Sequence, residues 1–432
     1  MSHKMTDAQK FESFLNNIKV DSHEQIDKRY REITKALNKY FRNTESETAN
    51  SFMIGSYGRY TGIKNISDLD MIYVVPSSLK DKYRGKPYDL LVDTKNAIGN
   101  HYSSTFKKVD QCIVSVQFQN FTFEVQPAFE EEGDDDGPYY KYPFTYEGKN
   151  WYIVKPKQEQ AAIRNFKTKN LRLLCKMIRA WKNNSGQKIG GLLIDTLAYN
   201  FLNSTTTYDK GGVGSFGYMV RDFFSYMYNQ PDQSYYLAPG SKQHVNVRKR
   251  FQRKAEQAYN ICVEALSEAD STKSCKLWQK VFGRFFPMPE IKEFADKAYN
   301  NTEQFVEDIY PIDILYAAKV DAMVTQNGWM PHKLSQMLLE HIHLVPGRKM
   351  VFEVETDTPE PYDVKWKVRN VGPVAERRNC IRGAIIDSNS GLNKRKESAD
   401  FDGPHFVECY IVKNGVVVAR GRIDVPIKES ML

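Results

Sequence analysis

An Asp-x-Asp pair, Asp68 and Asp70, follows a Gly-Ser turn at Gly55-Ser56, and a third acid, Glu124, recurs in a later strand-like run. Acids two apart on a strand project to the same face, roughly 6.5–7 Å apart along it. Carboxylates gathered from adjacent strands can hold two divalent cations about 3.5–4 Å apart. A Gly-Ser turn opening a helix adds close backbone approach, N–H donors and a hydroxyl, which suit phosphate. Nucleotidyl transfer needs all of these: a held triphosphate, neutralised charge on phosphorus and an activated attacking hydroxyl. Without cations such acids repel one another, so a cluster with no role would only weaken the fold. An Asp-x-Asp pair alone, or a Gly-Ser turn alone, is common on ordinary surfaces. Their combination with the run Phe123-Glu124-Val125-Gln126-Pro127 is specific.

The spacing of apolar residues predicts the elements that must carry this site. Residues 7–18 and 21–43 read as helices, the second with Ile26, Tyr30, Ile33, Leu37 and Tyr40 at helical spacing and an Asp21/Glu24 capping pair. Ser51–Ile54 reads as a short strand running into the glycine turn, and Asp68–Val75 as a second strand. Val109–Gln117 and Phe121–Gln126 follow, with Phe121, Phe123 and Val125 on one face and Thr122, Glu124 and Gln126 on the other. Residues 158–184 resume helical periodicity, and helices continue to the Leu277–Gly283 run. After residue 327 the chain alternates like strands, and Asn414-Gly415 marks a hairpin. The acidic run Glu130–Gly137 reads as a solvated insertion, Gly391–Phe401 as a mobile loop, and Gly211–Gly217 as a loop before a helix.

The run Gly55-Ser56-Tyr57-Gly58-Arg59-Tyr60-Thr61-Gly62-Ile63 with Ser67-Asp68-Leu69-Asp70 resembles the signature of the cyclic GMP-AMP synthase/DncV-like nucleotidyltransferases of bacterial anti-phage systems, kin to oligoadenylate synthase. The segments Trp366–Pro373, Gly403–Tyr410 and Asn414–Arg420 resemble the AGS-C sensor domain attached to some of these enzymes. The resemblance implies an α+β fold: a polymerase-β-like core of mixed sheet and helices, a helical oligoadenylate-synthase-like lobe and a small C-terminal β-sandwich-like domain. The expected divisions are 1–157 for the catalytic core, 158–328 for the lobe completing the nucleotide cleft, and 329–432 for the sensor domain. It implies synthesis of a cyclic di- or trinucleotide from ATP, GTP or another NTP, with pyrophosphate released, two Mg²⁺ ions (Mn²⁺ as the alternative) and a product-responsive effector protein. Catalysis and metal binding map onto Asp68, Asp70 and Glu124, where a Glu replaces the more usual Asp. Nucleotide binding maps onto Gly55, Ser56 and Arg59, and onto the cations Lys176, Arg179 and Lys182 around a Lys-x-Trp-like motif that here reads Arg179-Ala180-Trp181. The competing reading is a template-independent nucleotidyltransferase acting on RNA, a small molecule or a protein.

Bulk composition agrees with an enzyme of phosphate-bearing substrates. The 432 residues carry a formal charge of +8 and 41% hydrophobic residues, a basic, globular balance that admits nucleic acid without requiring it. No run approaches the ~20 apolar residues that span a bilayer, and Met1–Glu12 is polar, so the expected location is the cytoplasm without a membrane partner. None of the six cysteines forms a C-x-x-C pair, and they read as reduced core residues.

Overall fold

The computed structural model describes all residues except 1–4, 134–136, 147–150, 290–302, 327–328, 343, 372–373, 376–377, 379 and 429–432. The chain divides into two compact units, His3–Asn184 with Ile189–Pro289, and Ser185–Lys188 with Glu290–Leu432. The core expected over 1–157 and the lobe expected from 158 therefore share one unit. The class is α+β, as the sequence predicts.

In the first unit, helices α1 (Asp7–Asn17) and α2 (His23–Arg42) precede strand β1 (Ser51–Met53), the single turn α3 (Gly55–Gly58) and β2 (Asp68–Val74). Thr6 caps α1 through a reciprocal pair with Gln9, whereas Ser22 at the start of α2 makes no side-chain cap and Asp21 instead pairs with Lys64 at 2.9 Å. Next come α4 (Lys80–Tyr83), α5 (Pro87–His101), β3 (Lys107–Asp110), β4 (Ile113–Gln117), β5 (Thr122–Glu131), β6 (Tyr139–Pro143) and β7 (Trp151–Val154). The sheet order is β1-β2-β5-β4-β3, with β6 and β7 extending from β5, and only β2 and β5 run parallel within the central path. The run expected as one strand over Val109–Gln117 is a hairpin, because Gln111 turns through positive φ. Leu69, Met71, Tyr73, Phe123 and Val125 point into a core shared with Ile26, Ile33 and Leu37 of α2 and with Leu90, Leu91 and Ile98 of α5.

The acidic run is only partly a loop. Glu130 and Glu131 end β5, paired with Lys157 and with Lys80 and Lys141, while 134–136 lie outside the described residues.

Helices α6 (Pro156–Arg164), α7 (Asn170–Ser185), α8 (Gly191–Asn203), α9 (Phe216–Tyr228), the hairpin β8 (Tyr235–Leu237) and β9 (His244–Asn246), α10 (Gln252–Ser267) and α11 (Ser271–Phe282) complete this unit. Their apolar stripes meet in one core that includes Leu174, Ile178, Trp181, Leu197, Phe223 and Trp278. Phe11 and Phe14 of α1 close onto α11, where Phe11 lies edge-on to Trp278 with centroids 5.1 Å apart. Such aromatic pairs contribute about 0.5–1.5 kcal/mol each beyond their buried area.

The second unit holds two four-stranded antiparallel sheets. One orders β11 (Trp329–Lys333), β10 (Ala318–Gln326), β12 (Lys349–Thr356) and β15 (Lys394–Ser398). The other orders β14 (Arg382–Asp387), β13 (Asp363–Arg369), β16 (Gly403–Lys413) and β17 (Val416–Ile427). Val320, Phe352 and Val354 from the first meet Trp366, Cys409 and Val425 from the second in one core. β10 lies upstream of the expected start at 329, which falls within the β10–β11 hairpin. The expected mobile loop Gly391–Phe401 contains β15, registered against β12. Its charge disguised it, because one face of an outer strand is free to be polar. Asn414 and Gly415 turn the β16–β17 hairpin with φ of 51° and 77°, as their types require.

Glu408 on β16 is buried and accepts from Arg420 Nη2 at 2.9 Å and from the Tyr410 hydroxyl at 2.6 Å. Burial pushes its carboxyl up, but Arg420 and these hydrogen bonds more than offset that and hold it at about 2. The stabilisation is therefore complete above the ordinary glutamate range and is lost as pH falls toward 2. Glu408→Gln leaves Arg420 short of a partner, and is expected to lower the opening free energy of β16 and β17 by roughly 3–5 kcal/mol. Amide hydrogen exchange on the full chain at neutral pH measures this; unchanged protection would contradict it.

Candidate active site

The turn after β1 is fitted to one carboxylate. Ile54 N–H donates to the Asp70 carbonyl at 2.8 Å, so α3 starts against β2. Gly55 has φ +61°, and a Cβ there would lie 1.8 Å from Asp70 Oδ2. Both the left-handed backbone and the close approach require glycine. Gly58 is equally confined, since its Cβ would lie 2.4 Å from the Met53 carbonyl oxygen. The Ser56 carbonyl accepts from the Thr61 and Gly62 N–H groups at 2.9 and 3.1 Å, which folds the chain leaving the turn back onto it.

The three acids share a sheet face. In the parallel β2–β5 pair, Asp70 is directly opposite Glu124 and Asp68 is opposite Thr122. Glu124 is also opposite Ser115 of β4. Registered residues on neighbouring strands lie about 4.8 Å apart, so Asp70 and Glu124 stand side by side, with Asp68 two residues along β2. All three are half-buried, while the intervening Leu69, Met71, Phe123 and Val125 are in the core. Ser67 Oγ donates to Asp68 Oδ2 at 3.2 Å.

As a donor set these are hard carboxylate oxygens, which suit Mg²⁺ or Mn²⁺ rather than zinc. Among the described residues no three acid, His or Cys side chains are already drawn together as a set of ligands. Burial, then the Glu124 charge, pushes the nearby Cys112 thiol up to about 11, so it adds no thiolate.

The basic residues named from the sequence separate into two groups. Arg59 and Arg179, expected to bind nucleotide, are both buried and bound to Asp195 of α8. Arg59 Nε donates to Asp195 Oδ2 at 2.8 Å, and Arg179 donates to Oδ1 and Oδ2 at 2.6 and 3.0 Å and to the Gly191 carbonyl at 3.1 Å. Burial pushes the Asp195 carboxyl up, but Arg179 and then Arg59 hold it at about 2. Lys182, one turn further along α7, is also buried.

Lys176 is half-exposed, and its pKa is lowered by burial and then by the charges of Arg172 and Lys19. Those neighbours extend a cationic patch to the turn. The Arg164 guanidinium lies 4.5 Å from the exposed Tyr60 ring and donates to the Gly58 carbonyl at 2.6 Å, and Arg172 lies 5.9 Å from the same ring. Spacing along the chain does not single out Arg164, Arg172 or Lys19, and Tyr60 lies within the Gly55–Ile63 run. Asp195 carried a signal, a lone acid inside the apolar run Leu192–Leu197. The Gly211–Gly217 run does precede a helix, α9, as expected.

Parts of the chain resemble known proteins. Residues 5–170 match the Second Messenger Oligonucleotide or Dinucleotide Synthetase domain, and residues 300–428 match the Adenylyl/Guanylyl and SMODS C-terminal sensor domain. The chain is 22% identical over 301 residues to the cyclic GMP-AMP synthase of Escherichia albertii, a stretch covering 65% of this chain and 62% of that relative. The match thus spans less than two thirds of the relative's length. Among solved structures, E. coli CdnC with ATP superposes with a TM-score of 0.49 at 14% identity, covering 66% of this chain and 99% of that one. The Vibrio cholerae di-nucleotide cyclase DncV gives 0.47 at 12% identity, covering 65% and 87%.

Proposed function

We propose that this chain, a cyclic GMP-AMP synthase/DncV-like nucleotidyltransferase with an AGS-C domain by its matches over residues 5–170 and 300–428, makes a cyclic di- or trinucleotide second messenger from NTPs, releasing pyrophosphate. One observation carries the reading: Glu124 registers beside Asp70, whose carboxylate abuts the glycine of the Gly-Ser turn. Phosphate cradle and carboxylates are thus one site.

Gly55 and Ser56 receive the triphosphate, with the Ser56 hydroxyl and local backbone as donors. Lys176 and the adjoining Arg172 supply positive charge toward its distal phosphates. Asp68, Asp70 and Glu124 would hold the divalent cations, and Mg²⁺ or Mn²⁺ bound there would supply a lowered pKa for the attacking ribose hydroxyl and positive charge for the departing pyrophosphate. The hydroxyl oxygen forms a bond to the α-phosphorus, the bond from that phosphorus to the β-phosphate bridging oxygen breaks, and the hydroxyl proton leaves to solvent. Each further transfer releases another pyrophosphate, and the last, the second for a dinucleotide or the third for a trinucleotide, joins the chain end to the first nucleotide and closes the ring. The helices from 158 onward complete the nucleotide cleft, and the β-rich unit senses a ligand.

The family resemblance supports an anti-phage signalling role in the cytoplasm, with an effector protein that responds to the product. Among the described residues no helix is long and apolar enough to cross a membrane.

Incubating the full chain with labelled NTPs and Mg²⁺ tests the reading. The expected result is pyrophosphate and a phosphatase-resistant labelled product formed with no added acceptor. Label transferred only to added RNA or protein would replace cyclisation with the competing acceptor chemistry, and no pyrophosphate with either cation would overturn the enzyme reading.

A further inference from the structure

Asp195 lies outside the carboxylate cluster, yet its fully buried side chain is joined to the cradle by hydrogen bonds. Its Oδ2 accepts from Arg59 Nε at 2.8 Å and from Thr61 Oγ1 at 3.1 Å. Thr61, also fully buried, donates its N–H to the Ser56 carbonyl at 2.9 Å, beside the Gly62 N–H at 3.1 Å. Arg179 grips the other side of the carboxylate with two donors and ties it to α7. Glu159 of α6, a second carboxylate beside Arg59, stands 3.7 Å from Arg59 Nη1 and is itself held by accepting from Ser241 Oγ at 3.0 Å. Residues of α6, α7 and α8 thereby converge on the segment that leaves the Gly-Ser turn.

We propose that Asp195 is a positioning residue for nucleotidyl transfer: through Thr61 it fixes the Ser56 carbonyl, and through Arg59, whose N–H donates to the Gly55 carbonyl at 3.1 Å, it fixes the phosphate cradle against Asp70. The inference rests on the functional reading above and adds what holds that site in register. Its physical basis is the rigidity of a buried carboxylate with both oxygens engaged by charged donors, whose orientation is over-determined. A cradle that is no longer held in place must be ordered by the triphosphate itself, so the loss shows as weaker NTP binding. The same network also stabilises the fold, so the test must separate placement from stability.

Thr61→Val keeps the side-chain shape and charge balance and removes only the hydroxyl arm, while Thr61→Ser keeps that arm. With the full chain, Mg²⁺ and varied NTP, Thr61→Val is expected to raise KM for NTP at least fivefold, and Thr61→Ser to stay within twofold of the native value. Arg59→Lys, which keeps the charge and loses the Nε donor, should shift KM in the same direction as Thr61→Val. A purely structural role would reduce the folded, active fraction and so lower apparent kcat with KM unchanged. That outcome, or equal KM values for Thr61→Val and Thr61→Ser, would overturn the clamp while native turnover left the functional reading intact. Absence of turnover by the native chain would sink both together.

Discussion

Asp68→Asn combined with Asp70→Asn is expected to lower NTP turnover by roughly 10³-fold or more, about 4 kcal/mol of lost transition-state stabilisation. Asparagine keeps the shape of each side chain and the oxygen that accepts from Ser67, but removes the charge needed to hold a divalent cation. The fold should survive, since both positions are half-buried on the polar sheet face and not in the core. Removing two of three neighbouring negative charges relieves repulsion, so the melting temperature should stay level or rise. Pyrophosphate release measured alongside thermal unfolding checks both halves. Retained turnover would contradict the metal assignment, and a large fall in melting temperature would give these acids a structural role instead.

Gly55→Ala is expected to lower turnover by roughly 10²-fold through geometry alone. At φ +61° an alanine costs about 1–2 kcal/mol before any contact is considered. Its Cβ would meet Asp70 Oδ2 at 1.8 Å, so either the turn or the carboxylate must move. Movement of either separates cradle from cluster. Gly212→Ala is the matched control: nothing lies within 4 Å of a Cβ there, and its φ is −84°. Turnover of the Gly212 variant should equal that of the native chain. Equal turnover for both alanine variants would show that the Gly55 turn does not hold substrate.

The two glycine-rich runs show how far local pattern carries. The first, read as a turn opening a helix, forms the single turn α3, and the second, read as a loop before a helix, leads into α9. Only the first has its glycine packed on an acid, which depends on β1 lying beside β2. The alternation of Phe123, Glu124 and Val125 was enough to put Glu124 on the polar face, because side chains on a strand alternate whatever its neighbours. That Glu124 stands opposite Asp70 required the parallel β2–β5 register across α5 and the β3–β4 hairpin.

Cation roles were the least legible. Arg179 and Lys176 lie on nearby faces of α7, and local sequence offered no way to tell a charge that meets phosphate from one that meets Asp195. Folding places Arg179 beside Asp195: a guanidinium closed in next to a carboxylate pairs with it, because leaving either alone costs far more than surface charges do. Asp195 and Thr61 are far apart in the chain, so their link to Ser56 exists only after folding. Identities along one strand or turn determined which residue types were available and which face each would take. The tertiary structure decided which of them meet, because distance between segments, burial and the partner each charge finds are properties of packing and not of spacing along the chain.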